Sequence, residues 1–124
     1  MGLPSVPTLL CIDDESNALF LRKRLLESHG YSVLTAENGP HGLELLSKNN
    51  VDAVLLDYKM EPMDGVETAR KIRRQYGAWI PILLLTGYLG EIPTELLYIF
   101  DACLVKGNPS DMLTELRRLV KHQT

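Results

Sequence analysis

The chain has 124 residues, a formal net charge of −3 at pH 7, 45% hydrophobic residues and 23% charged residues. This length suits one domain that buries roughly two thirds of its unfolded surface and folds without a metal or a disulfide. The acidic balance argues against a nucleic-acid binder with a basic surface, and no apolar stretch approaches the roughly 20 residues of a membrane span.

The first half of the chain predicts three strands, each followed by a helix. The strands cover residues 8–12, 31–36 and 51–57. Ser16 is a good N-cap for the first helix, and Gly30 is a C′ glycine at its end. The inner face of that helix is predicted to comprise Ala18, Leu21, Leu25 and Leu26.

The second half continues the alternation. Asp64 caps a third helix, strands cover 80–86 and 102–106, a short fourth helix runs from Pro93 to about 100, and Asn108 begins the last helix. Five strands alternating with five helices predict an α/β fold, a (βα)5 parallel sheet with helices on both faces. Right-handed crossovers and short loops leave few topologies, and from these we adopt the flavodoxin-like strand order 2-1-3-4-5, borrowed from known folds of this type, which puts the first and third strands side by side.

The ends of the chain and its two cysteines carry simpler predictions. We expect residues 1–7 to be a flexible leader without a secretory signal and 8–122 to be the domain. Cys11 and Cys103 fall in the first and fifth strands, three strand spacings apart, whereas a disulfide needs Cα atoms within about 7 Å. Both should be free thiols, which fits a reducing cytoplasmic compartment.

Polar side chains stand where the strands end. Asp13 and Asp14 follow the first strand, Asp57 ends the third, and Thr86 and Lys106 end the fourth and fifth. Ligands of open α/β sheets bind at this edge. Three neighbouring carboxylates call for a hard divalent cation, and Mg²⁺ is the natural candidate. With a lysine and a hydroxyl beside them, these are the parts for forming and holding an aspartyl phosphate.

These residues fall at the spacing of a known family. From about residue 8 to 120 the chain resembles a response-regulator receiver domain of two-component signalling. The residues that carry the resemblance are Asp13, Asp14, Asp57, Met60, Asp64, Gly65, Thr86 and Lys106. The resemblance implies that Asp57 is the phosphoacceptor, with Thr86 and Lys106 contacting the phosphoryl group.

The resemblance also implies a metal site. Asp14, Asp57 and the backbone carbonyl of Lys59 would bind Mg²⁺, and Asp13 would act mainly through water. No other cofactor is expected.

The implied function is a phosphoacceptor signalling module. It would take a phosphoryl group from a histidine kinase or phosphotransfer protein and then switch its binding to a downstream effector. It would catalyse its own phosphorylation and dephosphorylation without being a turnover enzyme. We expect no direct contact with nucleic acid or membrane. The resemblance also implies that a homodimer can form through the face of the fourth helix, fifth strand and fifth helix.

The chain departs from the family pattern at several positions. Glu61 stands where a proline is usual, Cys103 where an aromatic residue is usual, and Gly107 where a proline follows the lysine. Ile99 and Phe100 replace a small Gly-Ala pair. Because a cis bond to a non-proline residue costs about 2.5–4 kcal/mol, we predict a trans peptide bond before Gly107.

Two alternatives follow from these observations. The departures favour a receiver-like interaction module that binds partners regardless of phosphorylation. An enzyme is the other alternative. However, an aspartyl-phosphate phosphatase would carry a second acid where this chain has Lys59, and a nucleotide-binding protein would carry a phosphate loop where it has Asp13, Asp14 and Glu15.

Overall fold

Five parallel strands form one sheet. They are β1 (Thr8–Ile12), β2 (Ser32–Ala36), β3 (Ala53–Asp57), β4 (Ile82–Thr86) and β5 (Ala102–Val105). Their order is β2-β1-β3-β4-β5, which confirms the predicted topology. The computed structural model describes residues 6–120. Most of the predicted leader and the last two residues of the predicted domain therefore lie outside the described residues.

The helices flank the sheet, and the short fourth helix is of the 3₁₀ type. The α-helices are α1 (Ser16–Ser28), α2 (Gly39–Lys48), α3 (Gly65–Tyr76) and α4 (Pro109–Leu119). The short helix predicted from Pro93 to about 100 is confirmed in place, but Thr94–Ile99 is a 3₁₀ helix, and a second 3₁₀ segment, Leu89–Glu91, precedes it. In so short a connection the tighter i→i+3 turns satisfy the backbone and still bury Ile92 and Ile99.

Alternate strand residues supply two cores, one on each face of the sheet. The side that packs against α2 and α3 includes Leu10, Ile12, Val54, Leu56, Ile82 and Leu84. The side that packs against α1 and α4 includes Leu9, Cys11, Ala53, Leu55, Leu83 and Leu85. Burial on both faces explains why these strands read as continuous apolar runs rather than as alternating ones.

Helix α1 differs from its prediction in two details. Glu15 rather than Ser16 is the N-cap residue, and its side chain makes no capping hydrogen bond. Leu19 is buried, whereas Leu21, predicted to face inward, is 67% exposed. Two residues correspond to about 200° around a helix, so Leu21 must point away when Leu19 and Leu26 face the core.

The other predicted helix ends are confirmed. The Asp64 side chain accepts a hydrogen bond from the Glu67 amide at 2.9 Å, and the Asn108 side chain accepts one from the Asp111 amide at 3.1 Å. Gly30 follows α1 with φ +91°. Because L side chains rarely adopt this conformation, glycine suits the position after the helix.

Both cysteines are free thiols, as predicted. β3 and β4 lie between the strands that carry them. Burial raises the pKa of the Cys11 thiol to about 12, so this group is an inert core residue. Between residues 6 and 120, none of the helices combines the length and apolarity that crossing a bilayer requires.

Arg73 of α3 ties the far end of the sheet together. Its guanidinium donates hydrogen bonds to the carbonyl oxygens of Ile80 at 2.6 Å and Ile99 at 3.1 Å. It also pairs with Asp101 at 2.7 Å, and the same Asp101 oxygen accepts from the Ile82 amide. This network joins α3 to the starts of β4 and β5.

We predict that Arg73→Met lowers the free energy of unfolding by about 2–3 kcal/mol, because it removes the guanidinium that three carbonyl oxygens and the Asp101 carboxylate share. Arg74→Met is the matched control, since Arg74 is exposed on the same helix and its substitution should change the free energy by less than about 0.5 kcal/mol. Urea titrations of the two variants make the measurement. Equal losses would contradict the structural role of Arg73.

Candidate acidic phosphoacceptor site

Three carboxylates meet at the carboxyl edge of the sheet, where β1 and β3 are neighbours. Asp57 is the last residue of β3, and Asp13 and Asp14 follow β1. One carboxylate oxygen from each residue lies within 4.8 Å of the others. Asp13 and Asp57 are buried and Asp14 is exposed. The structure thus brings together the three carboxylates that were singled out from the sequence.

The start of α3 holds the end of β3 in place. The Gly65 amide donates a hydrogen bond to the Tyr58 carbonyl oxygen at 2.7 Å. A Cβ atom at Gly65 would lie 2.5 Å from the Asp57 carbonyl oxygen, which no real Cβ atom tolerates. Glycine at this position therefore allows the helix to begin directly against the backbone of Asp57.

Lys106 reaches two of the carboxylates. Its Nζ lies 2.9 Å from Asp57 Oδ1 and 3.0 Å from Asp13 Oδ2. The Lys106 amide donates to the Thr86 carbonyl oxygen at 2.7 Å, and Gly107 then turns the chain with φ +89°. The Lys106–Gly107 peptide bond is trans, as predicted, whereas Glu61–Pro62 is cis.

Arg22 is a second cation of the site and was missed from the sequence. Its Nη1 lies 3.4 Å from Asp13 Oδ2, and its side chain is 11% exposed. A signal was available, because Arg22 lies three residues after Leu19 and four before Leu26. These spacings place all three residues on one helix face.

The surroundings of the two buried carboxylates shift their pKa values in opposite directions. Burial, together with the charge of Asp13, raises the pKa of Asp57 to about 6 despite the hydrogen bond from Lys106. Burial alone would also raise the pKa of Asp13, but the Glu15 amide, Lys106 and Arg22 together lower it. The same two carboxylates raise the pKa of Lys106 above its usual value, against the effect of its own burial. Asp13 is thus the firmly ionised member, and Asp57 is the more basic one.

The side chains of Thr86 and Lys59 contact Glu91 rather than the three carboxylates. Thr86 Oγ1 donates a hydrogen bond to Glu91 Oε1 at 2.6 Å, and Lys59 Nζ pairs with Glu91 Oε2 at 3.1 Å. The Thr86 hydrogen bond, followed by the contact with Lys59, lowers the pKa of Glu91. Sequence reasoning did not identify Glu91, since its position depends on the 3₁₀ segment Leu89–Glu91.

The donor set fits a hard divalent cation. Carboxylate oxygens are the ligands that Mg²⁺ and Ca²⁺ prefer, and the three carboxylates outnumber the cations Lys106 and Arg22 by one charge. An open cleft of about 520 Å³ lies beside the cluster. Its lining residues are Asp14, Tyr58, Lys59, Met60, Glu61 and Asp64.

A family model for the response regulator receiver domain matches residues 9–118. The chain belongs to the receiver domain family of response regulators. Its expected place in the response-regulator family of two-component signalling is therefore confirmed.

The relatives agree with this assignment. The receiver domain is 40% identical over 85 residues to the transcriptional regulatory protein GlrR of Escherichia coli, an alignment that covers 68% of this chain and 19% of GlrR. It is 40% identical over 78 residues to the response regulator MprA of a Mycobacterium species, covering 63% of this chain and 34% of MprA. The chain thus spans a fifth to a third of the length of these relatives.

Solved structures agree as well. The response regulator TrrA of Thermotoga maritima, in complex with Mg²⁺-BeF, matches with a TM-score of 0.86 and 32% identity, covering 92% of this chain and 99% of that one. TrrA in complex with the histidine kinase ThkA matches with a TM-score of 0.85 and 32% identity, covering 93% and 99%.

We predict that Asp57→Asn stabilises the metal-free receiver domain at neutral pH. Because the pKa of folded Asp57 is raised from 3.8 to about 6, the stability that it contributes is fully present below the unfolded pKa and is lost as the pH rises through the folded pKa. Asparagine mimics the neutral acid, so the variant should gain about 1–3 kcal/mol at pH 7 and almost nothing below about pH 4.

Urea titrations in EDTA at both pH values test this prediction. Asp13→Asn serves as the contrasting variant. Since the pKa of Asp13 is lowered in the folded state, its removal should reduce stability at pH 7. A loss of stability in Asp57→Asn at pH 7, or a gain that is equally large at pH 4, would contradict the raised pKa of Asp57 in the folded protein.

Proposed function

We propose that this receiver domain accepts a phosphoryl group on Asp57 in an Mg²⁺-dependent reaction, taking it from a histidine kinase or phosphotransfer protein. Phosphorylation then switches the binding of a downstream partner. The observation that carries the proposal is a buried strand-end carboxylate, 6% exposed, bound to Lys106 at 2.9 Å and grouped with two further carboxylates. The Mg²⁺-BeF and histidine-kinase complexes of TrrA support the same reaction class.

Asp57 is the proposed nucleophile. With a pKa of about 6, it is mostly ionised at pH 7 yet more basic than an ordinary aspartate. A carboxylate oxygen attacks the phosphorus of the donor, and the bond between phosphorus and the donor group breaks. The donor group leaves with the electron pair, and an acyl phosphate remains on Asp57.

Lys106 and Thr86 are the proposed ligands of the phosphoryl oxygens. The Lys106 ammonium carries three protons and already contacts Asp57 Oδ1, so a small movement of its flexible stem would reach a phosphoryl oxygen. The Thr86 hydroxyl is donated to Glu91 and must be released before it can bind a phosphoryl group.

The proposed metal ligands are the carboxylates of Asp13, Asp14 and Asp57 and the backbone carbonyl of Lys59, with Asp13 acting mainly through water. When bound, Mg²⁺ offsets the negative charge of the carboxylates and of the entering phosphoryl group. The domain would promote its own phosphorylation and dephosphorylation, and it remains the acceptor in the reaction rather than a catalyst that turns over.

The proposed partners follow the family. A histidine kinase or phosphotransfer protein supplies the phosphoryl group, and an effector protein or domain reads the result, in the cytoplasm, where both free thiols would persist. Homodimerisation would use the face formed by Thr94–Ile99, β5 and α4. Tyr98 is 81% exposed and Val105 is 44% exposed.

We predict that acetyl phosphate with Mg²⁺ adds one phosphoryl group, because the proposal has a single nucleophile, Asp57. The group should be base-labile, because the product is an acyl phosphate. Asp57→Asn should abolish the product in intact-mass spectrometry, and EDTA should slow its formation strongly. Asp52→Asn is the matched control, since Asp52 lies just before the other end of β3, where its side chain accepts a hydrogen bond from the Thr8 amide.

Labelling that survives Asp57→Asn would overturn the assignment of the acceptor, and equal labelling in EDTA would overturn the role of the metal. If the intact protein takes up no phosphoryl group under any of these conditions, the phosphorylation-independent interaction module becomes the better interpretation.

Metal binding gives a second prediction. Mg²⁺ at ten times its dissociation constant should raise the free energy of unfolding by about 1.4 kcal/mol, because it binds the folded carboxylate cluster. Asp14→Asn should remove most of that gain without phosphodonor present. Thermal melts with and without Mg²⁺ make the measurement, and an equal gain in both proteins would contradict the proposed ligand set.

A further inference from the structure

Glu91 joins two elements at the rim of the acidic site. One carboxylate oxygen accepts the Thr86 hydroxyl at 2.6 Å, and the other pairs with the Lys59 ammonium at 3.1 Å. Thr86 ends β4, and Lys59 lies two residues after Asp57. A single side chain therefore bridges the ends of two neighbouring strands.

The bridge occupies the Thr86 hydroxyl. A hydroxyl has one proton, and Thr86 is 1% exposed, so water does not compete freely for it. Its other contacts within the described residues are the amide and carbonyl of Tyr88, both at 3.4 Å. Because Glu91 holds the short bond, Thr86 cannot at the same time donate to a phosphoryl oxygen on Asp57.

Glu91 has a route out of this arrangement. Its side chain is 22% exposed, and the residues from 87 to 90 that precede it are all exposed. The next residue, Ile92, is 3% exposed in the core. Rotation of the Glu91 side chain can therefore move its carboxylate toward solvent while Ile92 keeps its place in the core.

We propose that Glu91 is a positioning residue that competes with the phosphoryl group for the Thr86 hydroxyl, while Lys59 holds the Glu91 carboxylate in the competing position. This inference rests on the proposed phosphorylation of Asp57. A carboxylate and a phosphoryl oxygen are both anionic acceptors, so each excludes the other from the single proton of the Thr86 hydroxyl. The affinity of the site for a phosphoryl group is lowered by the fraction of molecules in which Glu91 holds Thr86.

The test is a fluorine NMR titration with beryllium fluoride and Mg²⁺. Glu91→Ala removes both contacts and should tighten binding about three- to tenfold, since one short charge-assisted hydrogen bond no longer competes. Glu91→Gln keeps an oxygen for Thr86 but loses the charge that pairs with Lys59, so its affinity should lie between those of Glu91→Ala and the unmodified protein. Glu95→Ala, an exposed acid in the following 3₁₀ segment, should leave the affinity unchanged.

A double-mutant comparison isolates the Thr86 contact. In a Thr86→Ala background the gain from Glu91→Ala should fall below twofold, because the contested hydroxyl is absent. A gain that persists there, or unchanged or weaker binding in Glu91→Ala alone, would overturn the inference while leaving the proposed function standing. If no variant with Asp57 binds the probe better than Asp57→Asn does, the proposed function fails and this inference fails with it.

Discussion

The ammonium group of Lys106 holds together a site that would otherwise repel itself. It lies 3.0 Å from Asp13 and 2.9 Å from Asp57, two carboxylates that are both buried. Two unit charges about 4 Å apart interact with about 4 kcal/mol at an effective dielectric constant of 20. A shared cation offsets this repulsion, so Asp57 stays ionisable near neutral pH.

The rest of the fold brings Lys106 to that position. The order β2-β1-β3-β4-β5 puts the carboxylates on adjacent strands and the lysine two strands from β3 and three from β1, a gap that a long flexible side chain crosses. The hydrogen bond from the Lys106 amide to Thr86 fixes the start of that side chain. Apolar packing on both faces of the sheet keeps the strand ends in register.

The sequence predicted the parts of the site that depend on strand ends. Asp57 and Lys106 follow apolar runs, and the topology of an α/β sheet then brings such positions to one edge. Leu21 was misassigned because a helix with leucines at several positions has more than one apolar face. Glu91 could not be found, because its place depends on the 3₁₀ segment Leu89–Glu91, which precedes the predicted helix and carries no periodic signal.

The exchange at Thr86 also bears on how a signal would leave the site. The family position for an aromatic residue holds Cys103, which is half-buried on β5, so no aromatic ring at that position can follow the movement of Thr86. Glu91 lies on the connection between β4 and Thr94–Ile99, the segment that carries the exposed Tyr98. In the proposed mechanism, a phosphoryl group that takes Thr86 from Glu91 releases the Glu91 side chain from the end of β4, whereas Ile92 stays anchored in the core. The same exchange that completes the acceptor site would therefore change the surface around residues 87–91, next to the segment that leads to the outer face.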